Sequence, residues 1–377
     1  MIPFNKPFLT GKELEYIKIS VESGTISGNG LYTKNCQNWF KEKYGFKKTL
    51  MTSSCTDALE MASILIDIKP GDEVIMPSYT FVSTANAFVL RGAEIVFADS
   101  CSDNPNMDAE KLSSLITKKT KAIIPVHYGG VACDMDKILQ LAKENKIYVV
   151  EDAAQSIDSF YKGKPLGSLG DLGAFSFHES KNIISGEGGM LCVNNENFYS
   201  RSEIIWEKGT NRSAFYRGEV NKYEWVDIGS SFLPSDIIAA FLYSQLEHLD
   251  EIQSKRKNIW NTYFKELSGL QEAGKIKLPF IPEYATNNAH IFYIICKDLK
   301  QRNGFIDYMK KNEIQCTFHY LSLNSSPYFS KNHKKVSNLE NSDRYSDTLV
   351  RLPLFFNLED TELEKVIEKT ILYFNRL

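Results

Sequence analysis

A lysine and an acid, each placed after an apolar segment, are the residues of this chain best suited to covalent chemistry. Lys181 lies in the segment Phe175–Asn182, which is followed by the glycine-rich segment Gly186–Gly189. Asp152 ends an apolar run that begins at Ile147. A lysine amine can form a Schiff base with an aldehyde, and an acid can keep a pyridine nitrogen protonated. Together they predict a site for pyridoxal 5'-phosphate (PLP), although each residue alone is also typical of a surface loop or a strand end.

The phosphate of such a cofactor needs hydroxyl and amide donors at the start of a helix. Ser54, Cys55 and Thr56 follow an apolar segment and open a helical pattern, and Ser176 lies shortly before Lys181. Ser54 and Thr56 are also suited to ordinary helix capping, and the two roles are compatible. We interpret Cys55 as a small residue of this segment and not as a reactive thiolate, because no histidine or asparagine partner pattern accompanies it.

Two more side chains are candidates for contacts with the pyridine ring. Phe81 follows an apolar run that ends at Met76, and its flat face can stack on the ring. A core phenylalanine is the alternative interpretation. Gln155 follows Asp152 by three positions and can reach the ring hydroxyl oxygen, or it can serve as a turn amide.

Short apolar runs alternate with helical patterns between Leu50 and Val193. The predicted strands are 73–76, 94–97, 122–126, 147–150, 174–177 and 190–193, and the helices between them include 56–65 and 135–143. This alternation is typical of an α/β fold, with a mainly parallel sheet covered by helices on both faces. Ligands bind beyond the carboxyl ends of the strands in such sheets, and Asp152 and Lys181 are expected at that edge.

The pattern changes in the last third of the chain. The predicted elements there are one or two long helices over 237–267, a proline-punctuated connector at 278–282, strands at 290–296 and 315–319, and helices at 304–310 and 360–374. These elements predict a large domain over residues 1–250 and a smaller α+β domain over residues 251–377.

Composition and charge argue against several classes of function. The formal net charge of −3 provides no general basic surface for nucleic acid. No apolar run approaches a membrane span and no signal-peptide pattern opens the chain, so no membrane association is expected. The 7 cysteines include no CxxC pair, which favours a cytoplasmic protein. The 6 histidines, His333 among them, lack ligand spacing, so no metal site is predicted.

Four segments carry a likeness to a known enzyme family: Gly71–Val82, Val150–Gln155, Phe175–Asn182 and Gly186–Gly189. Through them the chain resembles the sugar-nucleotide aminotransferases of the DegT/DnrJ/EryC1/StrS family over nearly its full length. The resemblance implies the type I fold of PLP-dependent transferases, which is the fold of aspartate aminotransferase.

The resemblance also implies roles that agree with the residue chemistry. Lys181 would hold PLP through a Schiff base, and Asp152 would contact the ring nitrogen. Gln155 would contact the ring hydroxyl, and Phe81 would cover the ring face. The residues expected close to the phosphate or elsewhere near the cofactor are Ser54, Cys55, Thr56, Ser176 and His178.

The same resemblance implies a homodimer with active sites at the subunit interface. Relatives place an Asn or Arg of the partner subunit against the phosphate, from the segment that corresponds to Gly229–Asp236. That segment holds neither residue type here, so Ser230 and Ser231 are the candidates for this contact. His319 is expected to face the substrate.

Within the family, the segments 1–5, 88–92, 125–128 and 207–213 resemble the branch that makes dTDP-4-amino-4,6-dideoxygalactose for enterobacterial surface polysaccharides, such as O antigen or enterobacterial common antigen. This implies amino transfer from L-glutamate to C4 of dTDP-4-keto-6-deoxy-D-glucose. The gluco epimer, dTDP-viosamine, and amination at C3 of a 3-keto sugar nucleotide remain open. A PLP-dependent sugar dehydratase is disfavoured, because that branch has histidine where Lys181 stands. A nicotinamide-dependent enzyme is disfavoured, because the loop after Met51 has no glycine.

Overall fold

The computed structural model describes residues 1–332 and 339–376, so His333 lies outside the described residues. Its α-helices are α1 Glu13–Glu22, α2 Leu31–Tyr44, α3 Cys55–Leu65, α4 Val82–Val89, α5 Met135–Asn145, α6 Tyr199–Trp206, α7 Arg212–Tyr216, α8 Asp236–Glu247, α9 Leu249–Glu272, α10 Leu299–Lys311, α11 Pro327–Asn332, α12 Glu340–Thr348 and α13 Asp360–Asn375. Its strands are β1 Thr49–Thr52, β2 Glu73–Pro77, β3 Glu94–Ala98, β4 Thr120–Ile123, β5 Tyr148–Asp152, β6 Phe160–Tyr161, β7 Lys164–Pro165, β8 Leu172–Ser176, β9 Gly189–Val193, β10 Phe292–Ile295 and β11 Leu349–Leu352.

Seven strands form one sheet in the order β1-β9-β8-β5-β4-β2-β3. Strand β9 runs antiparallel to both of its neighbours, β1 and β8. The remaining neighbours pair in parallel, so the mainly parallel sheet predicted from the sequence is confirmed. Because β5 and β8 run in the same direction, their carboxyl ends meet at one edge, where Asp152 pairs with Ala174.

Alternate residues of the central strands face two different layers of helices, as the two-residue period of a strand requires. In β2, Val74 and Met76 pack in a core that includes α3 and α4, whereas Ile75 packs in a second core that includes α5. Strand β9 is buried at every position. Such continuous burial is typical of a sheet covered on both faces.

The C-terminal part of the chain has its own hydrophobic core. Strands β10 and β11 form an antiparallel pair, which packs among α9, α10 and α13. The change from one core to the other occurs along α9, where Ile252 packs with α2 and α8 and Ile259 packs with β10. Ile2 also joins the C-terminal core and forms a bridge with Ile314. The division of the chain at residue 250 stays a prediction.

The predicted strand at 315–319 is wrong. The structure has an isolated bridge there, in which Arg351 N donates to Thr317 O at 2.8 Å and Thr317 N donates to Arg351 O at 3.3 Å. After Thr317 the chain no longer pairs with β11, and His319 and Tyr320 line a cavity. The partner of β10 is β11, a strand that was not predicted from the sequence.

The remaining predicted strands and helices are present, with their ends shifted by a few residues, and 237–267 is two helices, α8 and α9. Among residues 1–332 and 339–376, none of the helices has the length and apolarity needed to cross a membrane.

Candidate active site

A cavity of about 530 Å³ lies where β5 and β8 end. The sequence candidates that line it are Ser54, Cys55, Thr56, Phe81, Asp152, Gln155, Ser176, His178, Lys181 and His319. These residues come from five separate parts of the chain, which the fold brings together at one edge of the sheet. Ser230 and Ser231 do not line this cavity.

Asp152 ends β5 and is held in one orientation by hydrogen bonds. It is 5% exposed. Its Oδ2 accepts a hydrogen bond from Thr84 Oγ1 at 2.7 Å, and its Oδ1 accepts one from Ala154 N at 3.1 Å. Thr84 Oγ1 is itself 2.9 Å from Thr80 Oγ1. Burial raises the pKa of Asp152, and the hydrogen bond from Thr84 is the largest of the effects that oppose this rise.

Lys181 lies in the loop between β8 and β9. Glu179 N donates to Gly186 O at 2.9 Å, which folds the loop back on itself. Burial lowers the pKa of the Lys181 amine below its ordinary value of 10.5; the charge of Asp152 opposes this shift, and that of Arg351 adds to it. The neutral amine is the nucleophilic form, so the lowered pKa increases its reactive fraction near neutral pH.

Hydroxyl groups gather at the start of α3. Ser54 caps this helix, since its Oγ accepts a hydrogen bond from Asp57 N at 3.0 Å, and Thr56 Oγ1 donates to Ser83 Oγ at 2.9 Å. Strand β9 passes very close to this turn: a Cβ on Gly189 would lie 2.3 Å from the carbonyl carbon of Ser54. The hydroxyls and the helix N-terminus together suit a phosphate group.

Cys55 and Ser176 complete this part of the cavity wall. Burial raises the pKa of the Cys55 thiol well above its ordinary value, so the thiol is protonated at neutral pH. This agrees with a packing role rather than with a nucleophile. Ser176 ends β8, and its Oγ accepts a hydrogen bond from His178 N at 3.4 Å.

Phe81 and Gln155 approach the cavity in different ways. Phe81 is 56% exposed directly before α4, so the alternative of a core phenylalanine is wrong. Gln155 is buried, and its Oε1 accepts a hydrogen bond from Gly129 N at 2.7 Å. Its Nε2 donates to Tyr320 Oη at 2.8 Å. The second hydrogen of Gln155 Nε2 is therefore the one that would donate to a ring hydroxyl.

His290 also lines the cavity, and the two histidines that were candidates from the sequence, His178 and His319, differ in their surroundings. His178 Nδ1 accepts a hydrogen bond from Ser180 N at 3.2 Å and lies 2.9 Å from Ser180 Oγ. His319 Nδ1 lies 2.7 Å from Tyr128 Oη, and its ring stacks on Tyr320. Burial lowers the pKa of His319 well below its usual range, so this ring is neutral. No group of three or more possible metal ligands occurs in the part of the chain that the structure describes.

Ser231 lines a second cavity, of about 560 Å³, together with several residues from 25–29 and from 207–217. Ser230 and Ser231 are both exposed. The predicted contact of these serines with a cofactor phosphate thus requires a second subunit, and it stays a prediction.

The structure also brings residues to the Lys181 cavity that the sequence interpretation missed. Thr84 supports Asp152, and no pattern in the sequence links these two residues, which lie 68 positions apart. Arg351 lies in the unrecognised strand β11, where it is the one charged residue in an otherwise apolar run, Leu349–Leu352.

These residues fit PLP. An amine with a lowered pKa and a fixed carboxylate occur in one cavity, and an exposed aromatic ring and a hydroxyl-rich helix start lie beside them. A cofactor with an aldehyde, a basic ring nitrogen and a phosphate requires each of these groups.

Comparison with known proteins gives matches over the whole chain. The model of the DegT/DnrJ/EryC1/StrS aminotransferase family matches residues 7–370. The spore coat polysaccharide biosynthesis protein SpsC of Bacillus subtilis is 32% identical over 378 residues, which cover 97% of this chain and 95% of that protein. GDP-perosamine synthase of Escherichia coli O157:H7 is 32% identical over 335 residues, which cover 89% of this chain and 88% of that protein. The PMP form of Spr1654 from Streptococcus pneumoniae is 27% identical, with a TM-score of 0.92 and 100% of both chains covered; its PLP form is equally similar in sequence.

Proposed function

Because the chain belongs to the DegT/DnrJ/EryC1/StrS aminotransferase family, we propose that it transfers an amino group from L-glutamate to C4 of dTDP-4-keto-6-deoxy-D-glucose. The products would be dTDP-4-amino-4,6-dideoxy-D-galactose and 2-oxoglutarate. The coarser assignment follows from the family and its relatives: the chain is a PLP-dependent sugar aminotransferase. The family, the fold class and the cofactor predicted from the sequence are thereby confirmed.

The proposed chemistry is supported above all by the meeting of Lys181 and Asp152 in one cavity. Burial makes the lysine amine easier to deprotonate, and Thr84 fixes the carboxylate. PLP, when bound, supplies an aldehyde carbon and an electron-withdrawing ring. Lys181 would be its point of attachment, and Asp152 would keep the ring nitrogen charged.

The other residues of the cavity have proposed roles in holding the cofactor. Phe81 would cover one ring face, and Gln155 would donate to the ring hydroxyl. Its phosphate would be bound by Ser54, Cys55, Thr56 and Ser176, at the start of α3 and the end of β8. His178 would lie beside the cofactor.

Lys181 would also move the protons of the reaction. Its Nζ would take the proton from the α-carbon of glutamate and later deliver a proton to C4 of the sugar. The face of the sugar that receives this proton decides between the galacto and the gluco product. His319, which is neutral and anchored to Tyr128, would orient the sugar in the cavity.

The choice of dTDP-4-keto-6-deoxy-D-glucose rests on the likeness of the segments 1–5, 88–92, 125–128 and 207–213 to one branch of the family. A GDP-linked keto sugar is the second candidate, because two relatives over most of the chain are GDP-perosamine synthases.

We further propose that the active enzyme is a homodimer. Three aromatic side chains near the second cavity are largely exposed: Tyr216 at 72%, Tyr223 at 54% and Trp225 at 81%. Exposed aromatic clusters of this kind mark interaction surfaces. In a dimer through this surface, Ser230 and Ser231 would reach the phosphate of the partner's site.

The test is an incubation of the purified protein with PLP, L-glutamate and dTDP-4-keto-6-deoxy-D-glucose, followed by NMR of the sugar product. We expect the galacto 4-amine. An equatorial 4-amine or a 3-amine would contradict the stated product, but the assignment as an aminotransferase would still hold. If a GDP-linked keto sugar is aminated and the dTDP-linked one is not, the second candidate replaces the first.

A further inference from the structure

His290 lines the Lys181 cavity, and none of the roles proposed above uses it. It lies two positions before β10 and is 6% exposed. Its main chain is fixed on both sides, because its N donates to Asn288 Oδ1 at 3.0 Å and its O accepts from Arg256 Nη2 at 2.7 Å. A side chain on a main chain fixed in this way is suited to contact a ligand in one orientation.

The hydrogen bonds of Asn182 determine which ring nitrogen of His290 carries the proton. Asn182 Nδ2 donates to Gln253 Oε1 at 2.8 Å and to the main-chain oxygen of Asn288 at 2.9 Å. Its Oδ1 lies 2.8 Å from His290 Nδ1, and this carbonyl oxygen can only accept. Burial and the charge of Lys181 lower the pKa of His290 well below its usual value, so the ring is neutral. Its single proton therefore lies on Nδ1, and Nε2 is an acceptor.

The second ring nitrogen of His290, Nε2, has no hydrogen-bond partner among residues 1–332 and 339–376. Protein atoms do not enclose it either, so it faces the cavity that the ring lines. The charges that act on the ring, those of Lys181, Arg256 and Arg351, are all positive. An acceptor in a buried site is unfavourable without a donor, so Nε2 is suited to receive a hydrogen bond from a bound substrate.

We propose that His290 Nε2 accepts a hydrogen bond from the hydroxyl group on C3 of the sugar, next to the carbon that receives the amine. His290 is then a specificity-determining residue for the acceptor substrate, and Asn182 is its positioning residue. This rests on the proposed function, in which the acceptor is dTDP-4-keto-6-deoxy-D-glucose.

The chemistry of the two substrates favours the sugar as the partner of Nε2. Besides burial, the charge of Lys181 lowers the pKa of His290, so the ring lies near the reacting amine. In the sugar, C4 is bonded to C3, which carries a hydroxyl, and to C5, which carries a methyl group and the ring oxygen. In L-glutamate, the α-carbon is bonded to a carboxylate and to a methylene group, and neither can donate. Only the sugar has a hydrogen-bond donor on a carbon next to the reacting one.

The first part of the test compares two sugars on the wild-type, PLP-loaded protein, by the absorbance of the cofactor. The probes are dTDP-4-amino-4,6-dideoxy-D-galactose and the same compound without its 3-hydroxyl. We expect the ratio of maximal rate to half-saturating concentration to be on the order of 10- to 100-fold lower for the 3-deoxy compound, because Nε2 then stays without a donor. This comparison needs no variant, so it does not depend on how a variant folds.

The second part uses His290→Asn, whose amide nitrogen can replace Nδ1 as the donor to Asn182 but which has no atom in the place of Nε2. We expect the ratio for the parent amino sugar to fall on the order of 10-fold. The two sugars should then differ by less than about 3-fold, because the variant can no longer distinguish them.

The half-reaction with L-glutamate serves as the internal control, and in His290→Asn it should change by less than about 3-fold. His290→Gln places an amide oxygen near the position of Nε2 and should recover part of the loss for the parent amino sugar. The matched control is His248→Asn, which makes the same change at a histidine outside the cavity and should leave both half-reactions unchanged.

Three results would overturn the proposal. Equal reaction of the wild-type protein with both sugars would exclude the contact. A preference for the 3-hydroxyl that persists undiminished in His290→Asn would assign its recognition to another residue. An equal loss of the glutamate and amino-sugar reactions in His290→Asn would assign Nε2 to the Lys181 amine, which serves both half-reactions.

A failure of the proposed function looks different, because it is seen before any variant or analogue is compared. The wild-type protein would then fail to react with L-glutamate or with dTDP-4-amino-4,6-dideoxy-D-galactose. In that case the proposal for His290 falls together with the proposed function.

Discussion

Thr84 and Asp152 are joined by a buried hydrogen bond of 2.7 Å, from the Thr84 hydroxyl to Oδ2 of the carboxylate. The bond links the first turn of α4 to the end of β5. It keeps a carboxylate that is 5% exposed in one orientation. Asp152 is thus positioned by a residue that takes no direct part in the proposed reaction.

Replacing Thr84 with valine should therefore weaken cofactor binding. Valine has nearly the same shape but no hydroxyl, so one oxygen of Asp152 loses its donor. We expect the Kd for PLP to rise about 10-fold, as measured by titration of the cofactor-free protein. Thr84→Ser keeps the hydroxyl and is the control; equal weakening in both variants would contradict this role.

The pH dependence of cofactor attachment should report the pKa of Lys181. The neutral amine reacts, so the rate should rise with pH through a midpoint below 10.5. The charge of Arg351 lowers this pKa and the charge of Asp152 raises it. Arg351→Gln should accordingly move the midpoint to higher pH, and Asp152→Asn should move it to lower pH. Shifts in the same direction would show that these charges do not act on Lys181 as described.

Gly189 should tolerate no side chain, because a Cβ there would lie 2.3 Å from the Ser54 carbonyl carbon and 2.5 Å from Cys55 N. Both atoms belong to the backbone at the start of α3, and this backbone cannot move without distorting the proposed phosphate site. Gly189→Ala should lower the free energy of unfolding by about 1–3 kcal/mol and weaken PLP binding, as measured by urea titration with and without PLP.

The control for this substitution is Gly269→Ala. Gly269 lies inside α9, and a Cβ there would meet no heavy atom within 4 Å. Alanine should stabilise this helix by about 0.5–1 kcal/mol. If Gly189→Ala proves as harmless as the control, the close approach of β9 to α3 is not essential.

Glu151, the neighbour of Asp152, should matter for stability rather than for chemistry. Its carboxylate is fully buried and accepts hydrogen bonds from the backbone N–H groups of Gly167, Leu169 and Gly170, and it lies 3.0 Å from His127 Nε2. Glu151→Gln turns one acceptor oxygen into a donor that faces these N–H groups. We expect a loss of about 3 kcal/mol in the free energy of unfolding, whereas the exposed Glu144→Gln should change it by less than about 0.5 kcal/mol.

The large sheet could be predicted from the sequence, because its strands are continuous apolar runs that alternate with amphipathic helices. Asp152 and Lys181 could be predicted with it, since strand ends and their loops meet at one edge of a parallel sheet. The pairing of β10 with β11 could not, because the two strands lie far apart in sequence, and the one charged residue of β11, Arg351, interrupts its apolar run.

The hydrogen bonds that hold the side chains of the site in place could not be predicted from the sequence either. Nothing in the sequence distinguishes Thr84 until the fold brings it to Asp152. From the sequence, Gln155 could contact the ring hydroxyl or serve as a turn amide, and its hydrogen bonds with Gly129 N and Tyr320 Oη could not be predicted. Such contacts join residues 26 and 165 positions apart, and they depend on side-chain orientation, which local patterns do not specify.

Lys181 is the residue that we expect to carry the cofactor. The most direct measurement is borohydride reduction of the PLP-loaded protein, followed by proteolysis and mass spectrometry of the labelled peptide. We expect a single pyridoxyl group on the peptide that contains Lys181, and we expect the Lys181→Ala variant to be unlabelled and inactive. A label on a different lysine, or amino transfer that survives in Lys181→Ala, would contradict this expectation.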